Sequence, residues 1–278
     1  MIVYPNAKIN LGLNILSKRD DGYHNIESIM LPIGWCDALE IVESEDKSTD
    51  LKVSGNKIDC DSDKNLVMKA YRKLQAEFNL PPVHIYLYKN IPDGAGLGGG
   101  SSDAAFTLRL LNSYFELKLS DEKLAEYAAQ LGADCPFFIF NRPMLATGIG
   151  TELHDFDISS IHNKSIVVAK APNTFVSTAE AYSKVCPDDS GFDLAAFVRS
   201  HDVKMWMHNV KNDFEEGVFS LQPKIAELKE HMLELGAEYA AMSGSGSAVF
   251  GIFDNDNMAD HLDEHFQTCQ YFAGQLTF

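Results

Sequence analysis

Between Pro92 and Ala105 the chain reads Pro-Asp-Gly-Ala-Gly-Leu-Gly-Gly-Gly-Ser-Ser-Asp-Ala-Ala, with five glycines in the seven positions from Gly94 to Gly100. Removing so many side chains lets a polyphosphate reach backbone N–H groups, and glycine's tolerance of positive φ lets those groups turn inward. Ser101, Ser102 and Asp103 then open a helix, with Ser101 or Ser102 as its N-cap. The helix N-terminus brings partial positive charge and further N–H donors to the same place. The segment is an anion cradle. A glycine-rich turn serving helix packing alone is the competing reading, but packing seldom calls for so many glycines together.

Three better-known motifs are weighed against it. Gly94, Gly96 and Gly99 satisfy G-x-G-x-x-G, yet a dinucleotide fold wants a continuously apolar strand running into the first glycine, and here Lys89-Asn90-Ile91-Pro92-Asp93 intervenes. A Walker A loop is excluded because no Gly-Lys-Ser/Thr follows the glycines. His261-Leu-Asp-Glu-His265 matches H-x-x-E-H, but no Asp or Glu follows Glu264 to supply a third zinc ligand. The plainer reading there is a charged terminal helix with Met258, Leu262 and Phe266 inward, and no metal site is assigned.

The elements that must position the cradle are legible in outline. Strands are expected at Lys8 to Leu16, Ile26 to Ile33 and Ala38 to Val42, separated by the Asp20-Asp-Gly22 and Gly34 turns. A helix is expected near Asn65 to Phe78. Val83 to Lys89 alternates Val83, Ile85 and Leu87 against His84, Tyr86 and Tyr88, a half-buried strand not expected at the centre of a sheet. After the glycines, Ala104, Leu108, Leu111 and Phe115 recur at helical spacing. A second helix runs from Asp121, capped by Ser120 and stopped by Gly132. The polar stretch Thr151 to Lys164 marks a boundary. Beyond it come a strand at Ser165 to Ala169, helices near Thr178 to Val185, Val210 to Phe219 and Pro223 to Leu235, and strands at Glu238 to Met242 and Ala248 to Phe253 around the loop Ser243-Gly-Ser-Gly-Ser247.

Composition bounds the function. The 278 residues, 45% hydrophobic and 23% charged, suit a globular chain with one large or two modest cores. A formal net charge of -17 disfavours binding to nucleic acid or anionic membranes, a ribosomal-type RNA binder included. Five widely spaced cysteines without a Cys-x-x-Cys pair fit a reducing cytoplasm. No signal peptide or membrane-length apolar run is seen, so a cytoplasmic location is expected.

Three segments in series, Pro5-Asn-Ala-Lys-Ile-Asn-Leu11, the Pro92 to Ala105 loop and Met242-Ser-Gly-Ser-Gly-Ser247, resemble the family of galacto-, homoserine, mevalonate and phosphomevalonate kinases. The resemblance implies an α+β fold of two domains, an N-terminal ribosomal-S5-like ATP-binding and catalytic domain (1–157) and a C-terminal ferredoxin-like α/β sandwich that binds substrate (158–278), with both ligands in the cleft between them. It implies ATP as co-substrate, with Mg2+ on its phosphates, and a small-molecule alcohol as the other partner. The words Asp21-Gly-Tyr-His24 and Leu131-Gly-Ala-Asp-Cys-Pro136 resemble those members that phosphorylate the 2-hydroxyl of a diphosphocytidyl methylerythritol in the non-mevalonate isoprenoid pathway.

Roles follow from the same resemblance. Asp134 matches the catalytic aspartate and Lys8 its paired lysine; such a carboxylate accepts the hydroxyl proton while the ammonium keeps it ionised and steadies the moving phosphoryl. Pro92, Gly94, Gly96, Leu97, Gly98, Gly99, Gly100, Ser101 and Ser102 fall to ATP, with Asn65 and Lys89 on the nucleotide side. Tyr23, His24 and Tyr182 match the grip on the cytosine. Asn10 and Thr178 fit near the sugar and diphosphate, and Ser243 and Gly244 join the substrate side. Asp93 and Asp103 depart from the family's usual neutral residues, and acids so near phosphate are expected to point to solvent or a cation. Without the resemblance Asp134 would pass for a turn aspartate, and Lys8, Asn65 and Lys89 for surface residues.

Overall fold

A computed structural model describes residues 1–58, 60–254 and 262–278. The strands are β1 (Ile2–Val3), β2 (Asn6–Lys18), β3 (His24–Cys36), β4 (Ala38–Glu43), β5 (Asp50–Gly55), β6 (Val83–Lys89), β7 (Met144–Thr147), β8 (Glu152–Asp155), β9 (Ser165–Lys170), β10 (Tyr239–Met242), β11 (Val249–Phe253) and β12 (Gln270–Gln275). The helices are α1 (Leu66–Phe78), α2 (Gly99–Tyr114), α3 (Asp121–Ala129), α4 (Cys135–Phe140), α5 (Thr178–Tyr182), α6 (Leu194–Ser200), α7 (Val203–Trp206), α8 (Glu215–Leu221), α9 (Pro223–Glu234) and α10 (Leu262–His265).

The chain forms two compact units that are interleaved in sequence. The first holds residues 1–7, 35–93 and 98–142, and the second 8–34, 94–97 and 143–278. A single cut between 157 and 158 does not reproduce this grouping, because β2 bonds to residues 211–213 and to Ser243, which draws the early strands into the second unit.

In the first unit, a four-stranded sheet of order β1-β4-β6-β5 belongs with α1 to α4. β6 lies inside this sheet, between antiparallel β4 and parallel β5. That corrects the expectation of a non-central strand: alternation reports which faces are buried, and one face of an interior strand can remain wet. Leu39, Ile41, Ile85 and Leu87 from the sheet, Ala70 and Leu74 from α1, Leu108 and Leu111 from α2 and Phe137 from α4 are all buried. Asn65 caps α1, its Oδ1 accepting from the Val67 N–H, and Ser120 caps α3 by accepting from Lys123. Gly132 does not stop α3 directly. The helix ends at Ala129; the N–H groups of Gln130 and Leu131 close tighter turns onto Tyr127 and Ala128, and the Gly132 N–H also bonds the Ala128 carbonyl.

In the second unit, the order β10-β11-β9-β12 is antiparallel throughout. Val167, Ala169, Met242, Val249 and Phe253 from this sheet share one apolar cluster with Val218 of α8, Ile225 and Met232 of α9 and Phe266. A further sheet has the order β2-β3-β7-β8. The stretch expected as a polar boundary thus contains β8. The helix expected from Val210 starts only at Glu215, because residues 211–213 pair with β2 through Leu13 N–H to Lys211 and Asp213 N–H to Leu13. Tertiary pairing overrides local propensity there.

Leu262 and Phe266 are buried and His265 is exposed, in keeping with a terminal helix, while Met258 and His261 lie outside the described residues. Among the described residues no group of three or more metal-ligating side chains occurs, and no helix is long and apolar enough to cross a membrane. All five cysteines are free thiols.

Leu108 sits at 0% exposure on α2. Leu108→Ala should therefore cost about 2–5 kcal/mol of unfolding free energy by urea titration, from lost burial plus the residual cavity.

Candidate active site

Helix α2 begins earlier than its serines suggest. Its N-cap is Gly98 at φ 70°, no side chain caps it, and Gly99 is its first residue. The expected cap at Ser101 or Ser102 is corrected accordingly: a left-handed glycine makes the entry turn, and the first-turn N–H groups carry no side-chain cap. Gly94 and Gly96 also adopt positive φ, at 58° and 73°. Gly99 instead allows close packing, since a Cβ there would stand 3.1 Å from Ile91 Cγ2 and 3.4 Å from Lys89 Nζ. Around Gly100 the space is open. Pro92 and Leu97 are buried, and Asp93 points to solvent, as expected of it.

Asp134 is the N-cap residue of α4, half-buried, with its side chain making no capping hydrogen bond. The fold brings its turn against the first turn of α2. Ser101 hydrogen-bonds the Cys135 thiol, and a Cβ on Gly132 would lie 3.3 Å from Cys135 Sγ and 3.8 Å from Ser101 Oγ. Burial pushes the Cys135 thiol up to about 11 against the opposing Ser101 bond, so it remains a neutral packing group.

Lys89 and Asn65 are not surface residues. Asn65 is 8% exposed. Lys89 is 4% exposed, and its ammonium donates to Asp37 and, at 2.7 Å, to Asp103 Oδ2. Asp103 therefore points to a cation, and that cation is the ammonium of Lys89. Asp37 escaped the sequence reading altogether. The signal that was available is parity: Lys89 continues the buried set Val83, Ile85, Leu87, and a buried lysine calls for acidic partners.

In the second unit Lys8 and Asn10 lie side by side on β2, Lys8 Nζ donating to Asn10 Oδ1 at 2.5 Å. Asn10 Nδ2 donates to Ser28 Oγ at 2.9 Å, which fixes the amide. The loop 94–97 is held against the same place, because Lys8 N–H bonds Leu97 O, Ser243 Oγ donates to Gly96 O and Ala248 N–H bonds Ala95 O, each at 3.0 Å. Ser243 Oγ also accepts from Asn10 N–H, and a Cβ on Gly244 would stand 3.3 Å from Asn10 Oδ1. The sequence-predicted Lys8, Asn10, Gly96, Leu97, Ser243 and Gly244 thus converge.

His24 and Tyr182 stack with ring centroids 4.6 Å apart, and Tyr182 meets Phe214 edge to face. Burial, helped by Lys18, lowers the His24 pKa, so the ring is neutral at pH 7 with one donor and one acceptor nitrogen. Tyr23 is 62% exposed and makes no ring contact with this pair. Thr178, at the start of α5, is within 3.2 Å of Ser245 in the second glycine loop.

Comparison with known proteins matches residues 65–142 to the GHMP kinases N terminal domain and residues 194–268 to the GHMP kinases C terminal domain. A 4-diphosphocytidyl-2-C-methyl-D-erythritol kinase of Bacteroides fragilis is 51% identical over 97% of this chain and 98% of its own length. The chain belongs to the GHMP kinases. A second relative of this GHMP kinase, from Parabacteroides distasonis and bearing the same enzyme name, is 47% identical over the whole of both chains. The crystal structure of a 4-(cytidine 5'-diphospho)-2C-methyl-D-erythritol kinase superposes with a TM-score of 0.79 at 30% identity, covering both chains completely. ATP is accordingly its co-substrate.

Gly96→Ala should unfold or strongly destabilise this GHMP kinase, since a Cβ would lie 2.0 Å from the Ser243 carbonyl oxygen. The left-handed backbone alone adds about 1–2 kcal/mol. Gly100→Ala, a helical position with open space, should keep or raise stability by up to about 1 kcal/mol. Thermal and urea unfolding of the two variants check the contrast.

Proposed function

We propose that this GHMP kinase transfers the γ-phosphoryl group of ATP to the 2-hydroxyl of 4-diphosphocytidyl-2-C-methyl-D-erythritol, in the non-mevalonate isoprenoid pathway. The observation that carries this reading is the end-to-end likeness to relatives bearing that enzyme's name. The ring pair His24 and Tyr182 supports it.

In this reading the ATP phosphates rest on the segment Pro92 to Ser102, against the uncapped N-terminus of α2, with Asn65 on the nucleotide side. Mg2+ would arrive with ATP and would supply positive charge to its phosphates. The fit is to a phosphate-held ion, since Mg2+ takes most of its ligands from substrate and water, and no resident cluster of ligating side chains occurs among the described residues. The cytosine is held by the aromatic faces of Tyr182 and Tyr23 and by the nitrogens of neutral His24. Asn10, Thr178, Ser243 and Gly244 hold the sugar and diphosphate.

Asp134 takes the proton of the 2-hydroxyl as that oxygen bonds to the γ-phosphorus, and the bond from γ-phosphorus to the β,γ-bridging oxygen breaks to release ADP. Lys8 contributes positive charge to the transferring group, its ammonium oriented by the Asn10 amide.

Asp134→Asn should lower kcat by about two to four orders of magnitude while ATP affinity stays near that of the parent. Purified protein given Mg-ATP and the diphosphocytidyl substrate should yield ADP, and CDP should compete with the acceptor. Turnover of mevalonate or homoserine instead, with no CDP competition, would reject the substrate. Nucleotide binding without turnover of any of these alcohols would reject the enzyme reading.

A further inference from the structure

We infer that Asp37, Lys89 and Asp103 form a buried positioning device, which ties the entry of the glycine segment to its exit and so sets the first turn of α2 for phosphate. The inference rests on the reading of that segment as the ATP site.

The geometry is that of a staple. At the entry, Asp37 Oδ1 accepts from the backbone N–H groups of Asn90 at 2.6 Å and Ile91 at 2.8 Å, and its other oxygen accepts from Lys89. At the exit, Lys89 Nζ donates to Asp103, one turn into α2. The three side chains are 0% to 4% exposed. The first turn of α2 packs against the ammonium, for a Cβ added at Gly99 would stand in van der Waals contact with Lys89 Nζ at 3.4 Å. Lys89 therefore acts on phosphate through α2 and not by contact with it. Everything between Ile91 and Asp103 is strung between two points that this one lysine holds together.

The charges do not balance. Two carboxylates face one ammonium, and Asp103 Oδ1 is buried with no hydrogen-bond partner. Burial raises the Asp103 pKa to about 7; the neighbouring Asp37 charge acts in the same direction and Lys89 opposes it. Burial also works against the Lys89 charge, but the carboxylates of Asp103 and Asp37 outweigh it and hold the ammonium protonated. The charges that act most strongly on Asp103 are Lys89, from the end of β6, and Asp37, from the corner between β3 and β4.

The consequence has a sign. Asp103 carries a proton below neutrality and the cluster is then neutral. As pH rises through about 7 the proton leaves, and one negative charge appears beneath the helix N-terminus that faces the phosphates. ATP should bind more weakly on the alkaline side. The same ionisation is disfavoured by folding, so thermal stability should fall as pH rises towards about 7 and level off above it.

The test compares the full-length parent with Asp103→Asn, which keeps the side chain's shape and removes its titration. KM for Mg-ATP, with Mg2+ in excess, and kcat are measured from about pH 6 to about pH 9. The parent's KM should rise about tenfold across that range, the effect of one unit charge acting over roughly 10 Å at an effective dielectric near 20. The Asp103→Asn variant should show a flat KM. Lys89→Met should raise KM for ATP at every pH more than it lowers kcat, and if it fails to fold, the Asp103→Asn comparison decides alone. An Asp103→Asn profile that still rises like the parent's, or a parent profile that is flat, overturns the inference. A parent that binds no ATP at any pH, by calorimetry, overturns the ATP reading and the inference with it, an outcome distinct from ATP bound with the wrong pH dependence.

Discussion

One ammonium group, that of Lys89, holds the entry of the glycine segment to its exit, and the candidate ATP site depends on that tie. Lys89 ends β6, and its two partners come from the corner after β3 and from the helix after the glycines. Such a cluster is costly to bury, and removing one member of a buried ion pair typically costs about 3–5 kcal/mol, because the remaining charge is left without compensation. That asymmetry makes the tie specific. A glycine-rich segment free to flex would lose entropy on gripping a polyphosphate, whereas one fixed at both ends has lost it already on folding.

The glycines divide the remaining work among themselves. Gly94, Gly96 and Gly98 supply left-handed backbone, Gly99 supplies close approach to Lys89 and Ile91, and Gly100 leaves open space at the helix N-terminus. Gly96 is the most constrained, pressed against the carbonyl of Ser243, and this contact joins the first glycine loop to the second. Lys8 and Asn10 share that junction through Leu97 and Ser243. The loop therefore serves two purposes at once: its last glycines shape the helix N-terminus, and its first ones carry the neighbourhood of Lys8.

Much of this was legible in the sequence because it is written locally. The anion cradle needs only glycines followed by a helix, the α1 and α3 caps need one side chain each, and the strand at Val83 to Lys89 announces itself by alternation. The three family words and their spacing named the kinase family. Elements that failed were short or set by distant partners. β8 hides in a polar stretch because its pairing to β7, not its composition, makes it a strand, and residues 211–213 leave the helical pattern to pair with β2.

The sequence by itself determined the glycine turns of the loop and the helix that follows them, because glycine's freedom and the helix N-terminus are properties of a short stretch of chain. It could not determine what Lys89, Asp37 and Asp103 do, since a lysine at a strand end and an acid in a helix turn look like solvated residues until the fold removes water from both. Only the tertiary structure buried them together, placed the Asp134 turn beside Ser101 and set Asn10 against Ser243. The physical reason is that desolvation, unlike propensity, depends on what packs on top.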